Sequence, residues 1–183
     1  MAEEARGVRV WDALVRVVHW ALVAAFVAAY FSHGGYLRVH RLAGYAISAL
    51  VVVRMVWGFV GSPHARFADF VAGPRKLGTY LTLLVRGREP RHIGHNPAGG
   101  AMIVLLLVLL AAVCVTGVVL DTPWYRDDAD FKQVHDLLTD ATVVCILLHV
   151  MGVAVMSWRH RENLTVAMIS GRKRPPAHRS SRG

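Results

Sequence analysis

The stretch AGGAMIVLLLVLLAAVCVTGVVL, residues 98–120, decides the fold, because it contains no charged residue over a length that crosses a bilayer. A membrane-spanning helix needs about 20 mostly apolar residues. Three further stretches of the 183-residue chain meet this requirement, at residues 14–32, 39–61 and 134–158. Lipid offers no water to satisfy backbone amides, so each stretch is expected to be a helix. The sequence therefore predicts an all-α integral membrane protein built as a four-helix bundle.

The composition favours this class and argues against soluble proteins. Hydrophobic residues make up 55% of the chain and charged residues 18%, a balance that is unusual for a soluble domain. The formal net charge of +9 is clustered between the apolar stretches, whereas a nucleic-acid-binding protein would carry a basic face on a soluble fold. The chain contains no P-loop, dinucleotide-binding or G-x-S-x-G motif. We therefore expect membrane lipid, and no nucleic acid, as a partner.

The distribution of Lys and Arg predicts the orientation of the spans. Basic residues are concentrated before the first span, between the second and third spans, and after the fourth. By the positive-inside rule, these three segments face the cytoplasm. The connection DTPWYRDDADF, residues 121–131, is acidic and is expected to face outward. Both termini are therefore predicted to be cytoplasmic.

Two segments outside the spans combine helically spaced apolar residues with basic neighbours, at residues 74–87 and 161–171. Both are predicted to be short interfacial helices lying on the cytoplasmic leaflet. Residues 172–183 lack apolar content and are predicted to be a basic, disordered tail attracted to anionic lipid. Residues 1–171 are predicted to form a single transmembrane domain.

Four histidines lie within the spans and pair by depth. His135 and His149 are fourteen residues apart, so they lie about 40° apart on one helix face and about 21 Å apart along its axis. His40, at the outer start of the second span, matches the depth of His135. His19, near the cytoplasmic end of the first span, matches that of His149. Ionisable residues inside membranes usually face the bundle interior and mark function.

Two opposed imidazoles without a third ligand nearby suit the two axial positions of a haem iron, whereas a tetrahedral zinc site needs more protein ligands. The prediction is two stacked haems, bound by His40 and His135 on the outer side and by His19 and His149 on the cytoplasmic side. With both axial positions filled, the remaining chemistry is one-electron transfer. The alternative is four unrelated histidines, each hydrogen-bonded to polar neighbours. No ligand role is predicted for the remaining histidines: His33, His64, His92, His95, His160 and His178.

Arg54 is a further ionisable residue within a span. It follows His40 by fourteen residues and therefore lies on nearly the same face, at the cytoplasmic level. Because guanidinium binds carboxylates well, Arg54 is predicted to pair with a haem propionate. The alternative is that its side chain extends to the membrane interface.

The sequence resembles the bacterial cytochrome b561 family, which is related to the b-type cytochrome subunits of nickel–iron hydrogenases and formate dehydrogenases. The resemblance rests on VWDALVRVVHW (10–20), LRVHRLAGY (37–45), VVVRMVWGFVG (51–61), and VHDLLTD with LLHVMG (134–140 and 147–152). It implies two bis-histidine haem b groups, bound by His19, His40, His135 and His149. It also implies electron exchange with a quinone pool, as part of a respiratory chain in a bacterial inner membrane.

The leading hypothesis is thus a membrane electron-transfer subunit between quinone and a redox partner, with a c-type cytochrome or a dehydrogenase or hydrogenase subunit as candidate partners. The alternative is an autonomous superoxide:quinone oxidoreductase, for which Arg38, Arg41, Arg126 and Lys132 would supply positive charge on the outer side. The neighbouring aspartates argue against a strong steering field. A third class is a non-redox membrane transporter or scaffold, which would bind no haem.

Overall fold

The computed structural model describes residues 7–92 and 94–174. It contains four long helices, each long and apolar enough to cross a membrane: α1 (Ala13–Ser32), α2 (Leu37–Val60), α5 (Pro97–Leu120) and α6 (Ala129–Arg159). Three shorter helices and two strands complete it: α3 (Phe67–Phe70), α4 (Pro74–Val85), α7 (Leu164–Ser170), β1 (Val8–Arg9) and β2 (Arg172–Lys173). The predicted all-α fold with four membrane-spanning helices is confirmed.

Side-chain caps set where several helices begin. Asp12, Asn96, Asp128 and Asn163 each precede a helix, and each accepts a hydrogen bond from the backbone N–H three residues further on. The cap at Asp128 explains why α6 begins five residues before the predicted start of the fourth span at residue 134. With 31 residues, α6 is about 46 Å long, well beyond the thickness of the hydrocarbon core.

The long helices pack in sequence order, with α1 along α2, α2 against α5, and α5 against α6. A small buried cluster joins α1 to α2, formed by Ala29, Ala43, Ile47 and Val51. Partly buried side chains of α5 pack against this cluster, namely Leu110, Ala111 and Cys114. Large apolar side chains elsewhere on the long helices are exposed, among them Phe31, Val108 and Leu147. In a bilayer, such side chains face lipid, and close helix contact depends on small residues.

The bundle has two unlike ends. At the hairpin end, residues 33–36 join α1 to α2 and residues 121–128 join α5 to α6. At the opposite end, which we call the sheet end, β1 and β2 pair antiparallel, with Val8 opposite Lys173 and Arg9 opposite Arg172. This pairing corrects the predicted start of the disordered tail, because Arg172 and Lys173 belong to the fold. Residues 175–183 of that tail lie outside the described residues.

The two predicted interfacial segments contain helices. In the first, α4 begins at Pro74 and ends at Val85, with Tyr80 buried against the bundle. In the second, α7 is shorter than the predicted range and ends at Ser170, where it is capped by Gly171, whose φ of 78° favours glycine. The one-turn helix α3 was not predicted, since four residues are too few for a periodic pattern.

Candidate metal centres within the bundle

The structure brings His40 and His135 together at the hairpin end. Their ring centres are 6.3 Å apart and the ring planes are inclined by 80°. Two metal–nitrogen bonds of about 2 Å, extended through each ring to its centre, add up to about 6 Å. This separation would suit one metal ion held by both His40 and His135.

Hydrogen bonds orient both of these rings. Nδ1 of His40 lies 2.9 Å from the carbonyl oxygen of Ala29, so it must be the protonated nitrogen. Nδ1 of His135 lies 2.9 Å from Oγ1 of Thr116, which already donates to the carbonyl oxygen of Ala112 and therefore accepts from the imidazole. In both rings Nε2 is left with its lone pair, as metal ligation demands.

Thr116 is a contact of the candidate centre that sequence reasoning missed. It is 8% exposed and lies on α5, which supplies no histidine to the candidate centres. Its signal in the sequence was weak, because it is a single hydroxyl among apolar residues. A threonine hydroxyl in a helix usually bonds to the backbone carbonyl one turn earlier in the same helix, and this requires no functional role. Only the packing of α5 against α6 brings it to His135.

His19 and His149 form the second pair, nearer the sheet end. Both imidazoles are partly buried and they interact electrostatically across the bundle from α1 and α6. The ring of His19 also packs edge-on against Trp20, with ring centres 5.3 Å apart. The structure thus places the rings of His40 and His135 in contact and gives an electrostatic interaction between His19 and His149.

Arg54 is buried at the sheet end. Only 7% of its surface is exposed, and its Nη1 has no hydrogen-bond partner among the described residues. The guanidinium carbon lies 5.5 Å from the ring centre of Phe67 and 6.0 Å from that of Phe70. An enclosed guanidinium with a free donor is a suitable partner for a carboxylate group.

Asp12 organises the sheet end beside Arg54, with which it interacts electrostatically. One carboxylate oxygen caps α1 by accepting from the N–H of Val15, and the other accepts from Trp57 Nε1 at 2.9 Å and from the hydroxyl of Ser62. Burial alone would raise the pKa of Asp12, but these hydrogen bonds outweigh it and lower the pKa. The charged carboxylate thus fixes the start of α1.

His95, for which the sequence predicted no ligand role, is enclosed at the sheet end. Its ring centre lies 4.4 Å from that of Trp11 and 4.8 Å from that of Phe70, and its Nδ1 is buried without a hydrogen-bond partner among the described residues. Burial, reinforced by the positive charges of Lys173 and Arg54, lowers the pKa of His95 to about 3. The imidazole is therefore neutral at physiological pH.

Two basic residues at the hairpin end, Arg41 and Arg126, interact with Asp121. Arg41 Nε lies 3.0 Å from Asp121, Tyr45 donates to the same carboxylate at 2.9 Å, and Arg126 donates to the backbone carbonyl of Asp121. The positive charge of Arg41 is therefore largely compensated. This arrangement weakens any field that would draw anions toward His40.

Within residues 7–92 and 94–174, no three side chains from His, Cys, Asp and Glu are grouped so that they could hold a metal ion. The candidate centres are thus two-histidine sites, which do not suit tetrahedral zinc. Such sites suit an iron whose other four ligands come from a macrocycle.

Known proteins are similar to the chain over most of its length. The model of the family described as prokaryotic cytochrome b561 matches residues 10–171. A probable Ni/Fe-hydrogenase B-type cytochrome subunit of Rhizobium leguminosarum bv. viciae is 25% identical, over 94% of this chain and 91% of its own. The corresponding subunit of Azotobacter vinelandii is 26% identical, over 90% and 87%. No solved structure matches the chain.

Proposed function

The chain belongs to the prokaryotic cytochrome b561 family, and we propose that it is a di-haem b-type cytochrome that carries electrons across the bacterial inner membrane. In this proposal electrons pass between a quinone pool and a redox partner. The observation that carries the proposal is the His40–His135 pair, whose 6.3 Å ring separation and oriented Nδ1 atoms fit axial ligation of one iron.

Each histidine pair holds one haem in this proposal. His40 and His135 bind the haem at the hairpin end, and His19 and His149 bind the one at the sheet end. When bound, a bis-histidine haem supplies one-electron transfer and offers no open position to oxygen. The chain supports this role by presenting Nε2 from opposed helices, by orienting the rings from Ala29 and Thr116, and by surrounding the site with apolar helices that exclude water.

Arg54 is proposed to bind a propionate of the haem at the sheet end. Its buried guanidinium has a free Nη1 donor, and His95 interacts electrostatically with both Arg54 and His149. Arg54 therefore lies near the level of the inner histidine pair. A carboxylate there would satisfy the free donor and compensate the buried positive charge.

The orientation follows from the placement of basic residues. Arg16, Arg159 and Lys173 all lie toward the sheet end, together with the basic segment that contains α4. We propose that the sheet end and both termini face the cytoplasm, and that the hairpin end faces outward. The haem between His40 and His135 is then the outer one.

A nickel–iron hydrogenase is the partner that the relatives favour, since those compared above are named as B-type cytochrome subunits of such hydrogenases. Electrons from the partner would then enter near one haem and leave to quinone near the other. The same redox core could serve a c-type cytochrome or another dehydrogenase, so the partner is tested separately from the haems.

The decisive experiment is a reduced-minus-oxidised spectrum of the gently purified protein, with haem extracted and quantified per chain. We expect two haem b per chain, both reduced when a quinol is added. A preparation with no haem would refute the proposal, and one haem would refute the second site. Reduction of quinone by superoxide, with the purified chain alone, would instead establish the oxidoreductase alternative.

A further inference from the structure

The short helix α4 presents three different faces, each of which repeats at helical spacing. Leu77, Tyr80 and Leu84 lie on the covered face, and Tyr80 is only 4% exposed. Leu81 and Val85, each one residue further along, form an exposed apolar face about 100° around the axis. A third face, one residue further again, is polar and exposed, and it contains Arg75, Thr79, Thr82 and Arg86.

Contacts with α6 place α4 at the level of the membrane boundary. The hydroxyl of Tyr80 lies 4.0 Å from Sδ of Met156, and Arg159 donates to the carbonyl oxygen of Leu84 at 3.2 Å. The helix α4 is therefore level with the last turn of α6, which ends at Arg159. Trp158 in that turn is 81% exposed, and exposed tryptophans are enriched where hydrocarbon meets headgroups.

Four basic side chains of α4 and the residues that follow it carry uncompensated charge. All four are exposed, and no hydrogen bond or ion pair within residues 7–92 and 94–174 involves their side chains. Other arginines at the sheet end are compensated, since Arg66 pairs with Asp69 and Arg159 pairs with Glu89. We call the four side chains the basic patch, which consists of Arg75, Lys76, Arg86 and Arg88.

The basic patch extends along the whole of α4. Arg75 and Arg86 are eleven residues apart, so they lie about 20° apart on one face and about 16 Å apart along the axis. The exposed apolar face with Leu81 and Val85 lies between these two ends, about 100° around the axis. A ligand for this surface therefore needs negative charge and an apolar part beside it.

We propose that α4 binds anionic phospholipids of the leaflet at the sheet end, with their phosphate groups on the basic patch and their acyl chains on Leu81 and Val85. Guanidinium and ammonium groups bind phosphate oxygens well, and a helix with adjoining basic and apolar faces lies in the membrane interface. This inference goes beyond the proposed function, because it requires neither haem nor quinone.

Charge complementarity selects anionic lipids over zwitterionic ones. A zwitterionic headgroup brings its own cation next to the basic patch, whereas phosphatidylglycerol carries a net negative charge that attracts Lys and Arg. The hairpin end offers no equivalent surface, because its exposed basic residues Arg38 and Lys132 are accompanied by Asp127, Asp128 and Asp130.

The test uses the full chain in phosphatidylcholine nanodiscs that contain a photoactivatable phosphatidylglycerol with its reactive group next to the headgroup. Photoactivatable phosphatidylcholine is the reference probe. Mass spectrometry then counts the lipid adducts on residues 74–88. We expect the anionic probe to be preferred at least about tenfold at low salt, since one basic residue near an anionic surface contributes about fivefold. High salt should reduce the preference.

Paired variants separate this surface from net charge. Arg75→Gln with Arg86→Gln should lower the preference at α4 at least about fivefold, whereas Arg75→Lys with Arg86→Lys should keep it. The control, Arg38→Gln with Lys132→Gln, removes the same charge from exposed positions at the hairpin end and should leave the preference unchanged. Because all these side chains are exposed, each variant should keep the wild-type melting temperature in detergent.

Equal labelling of α4 by the two probes would overturn the inference. A preference that survives Arg75→Gln with Arg86→Gln would do the same, as would a preference that the control pair lowers equally. Protection of Arg75 and Arg86 from trypsin by an acidic protein, and not by anionic lipid, would assign the basic patch to a protein partner instead.

Discussion

Thr116 and His135 meet across the α5–α6 interface, with 2.9 Å between Oγ1 and Nδ1. The hydroxyl hydrogen is directed to backbone carbonyls of α5, so the threonine can only accept from the imidazole. A helix without any histidine thereby fixes the tautomer and the orientation of a proposed ligand on its neighbour. The contact makes α5 part of the candidate centre at the hairpin end.

Thr116→Val keeps the shape of the side chain and removes the acceptor. Without this acceptor, Nε2 of the imidazole becomes a weaker electron-pair donor to iron, and the oxidised haem is less stabilised. The midpoint potential of the outer haem should therefore rise by about 30–60 mV. A redox titration resolved for the two haems measures this shift. Thr82→Val, which removes only a hydroxyl that donates to the backbone carbonyl of Gly78 on α4, should leave both potentials unchanged.

His135→Ala and His149→Ala should each remove one haem, and a different one, because the two residues belong to separate pairs. Haem quantitation per chain is expected to fall from two to one in each variant, and the two remaining spectra should differ. His92→Ala is the control, since His92 lies in a loop and bonds to the carbonyl of Pro90. Loss of the same haem in both variants would contradict the pairing by depth.

Arg54→Leu removes a buried positive charge near the inner histidine pair. A positive charge favours the reduced form of a haem, so the inner haem's midpoint potential should fall by about 60 mV, which corresponds to about 1.4 kcal/mol for one electron. Its occupancy should also decrease. Arg75→Leu, at an exposed position on α4, should change neither quantity. An unaltered titration for Arg54→Leu would exclude the propionate contact.

Gly58→Ala tests the packing that encloses Arg54. A Cβ at Gly58 would lie 2.1 Å from the ring of Phe67, so the ring would have to move away from the guanidinium. We expect a loss of about 1–3 kcal/mol in the free energy of unfolding, seen as a lower melting temperature in detergent. Gly78→Ala is the matched control, because its Cβ meets nothing within 4 Å and alanine favours a helix.

Acid should loosen the sheet end through His95. The pKa of His95 is about 3 in the folded state and 6.5 in the unfolded state. At neutral pH the imidazole is therefore neutral in both states and does not lower the free energy of unfolding. As pH falls below 6.5, only the unfolded state takes up the proton, so stability should decrease by about 1 kcal/mol at pH 5.5. Melting temperatures at pH 7.5 and 5.5 measure the loss. His95→Gln should reduce it, whereas His92→Gln should leave it at wild-type size.

The apolar stretches predicted the four long helices closely, because membrane insertion depends on length and composition rather than on tertiary contacts. The start of α6 was missed by five residues, since Asp130 and Lys132 interrupt the apolar pattern although Asp128 caps the helix before them. The helical repeat placed His135 and His149 on one face. The ranges of the spans placed His40 level with His135.

Other features were not predictable from one sequence. The acceptor at Thr116, the enclosed ring of His95 and the pairing of Lys173 with Val8 each join segments far apart in the chain. No local periodicity encodes such contacts, because they depend on how the helices pack. The short strands also lack the alternating run of residues by which a strand is recognised.

The pairing of β1 with β2 has a consequence for biosynthesis. The extensive helix contacts run from α1 through α2 and α5 to α6, and the strands join the two ends of this series. Because β2 follows all four long helices in the chain, it can pair with β1 only after the last of those helices has been synthesised. The strand pair that joins the first and last parts of the bundle is therefore a late step in the formation of the fold.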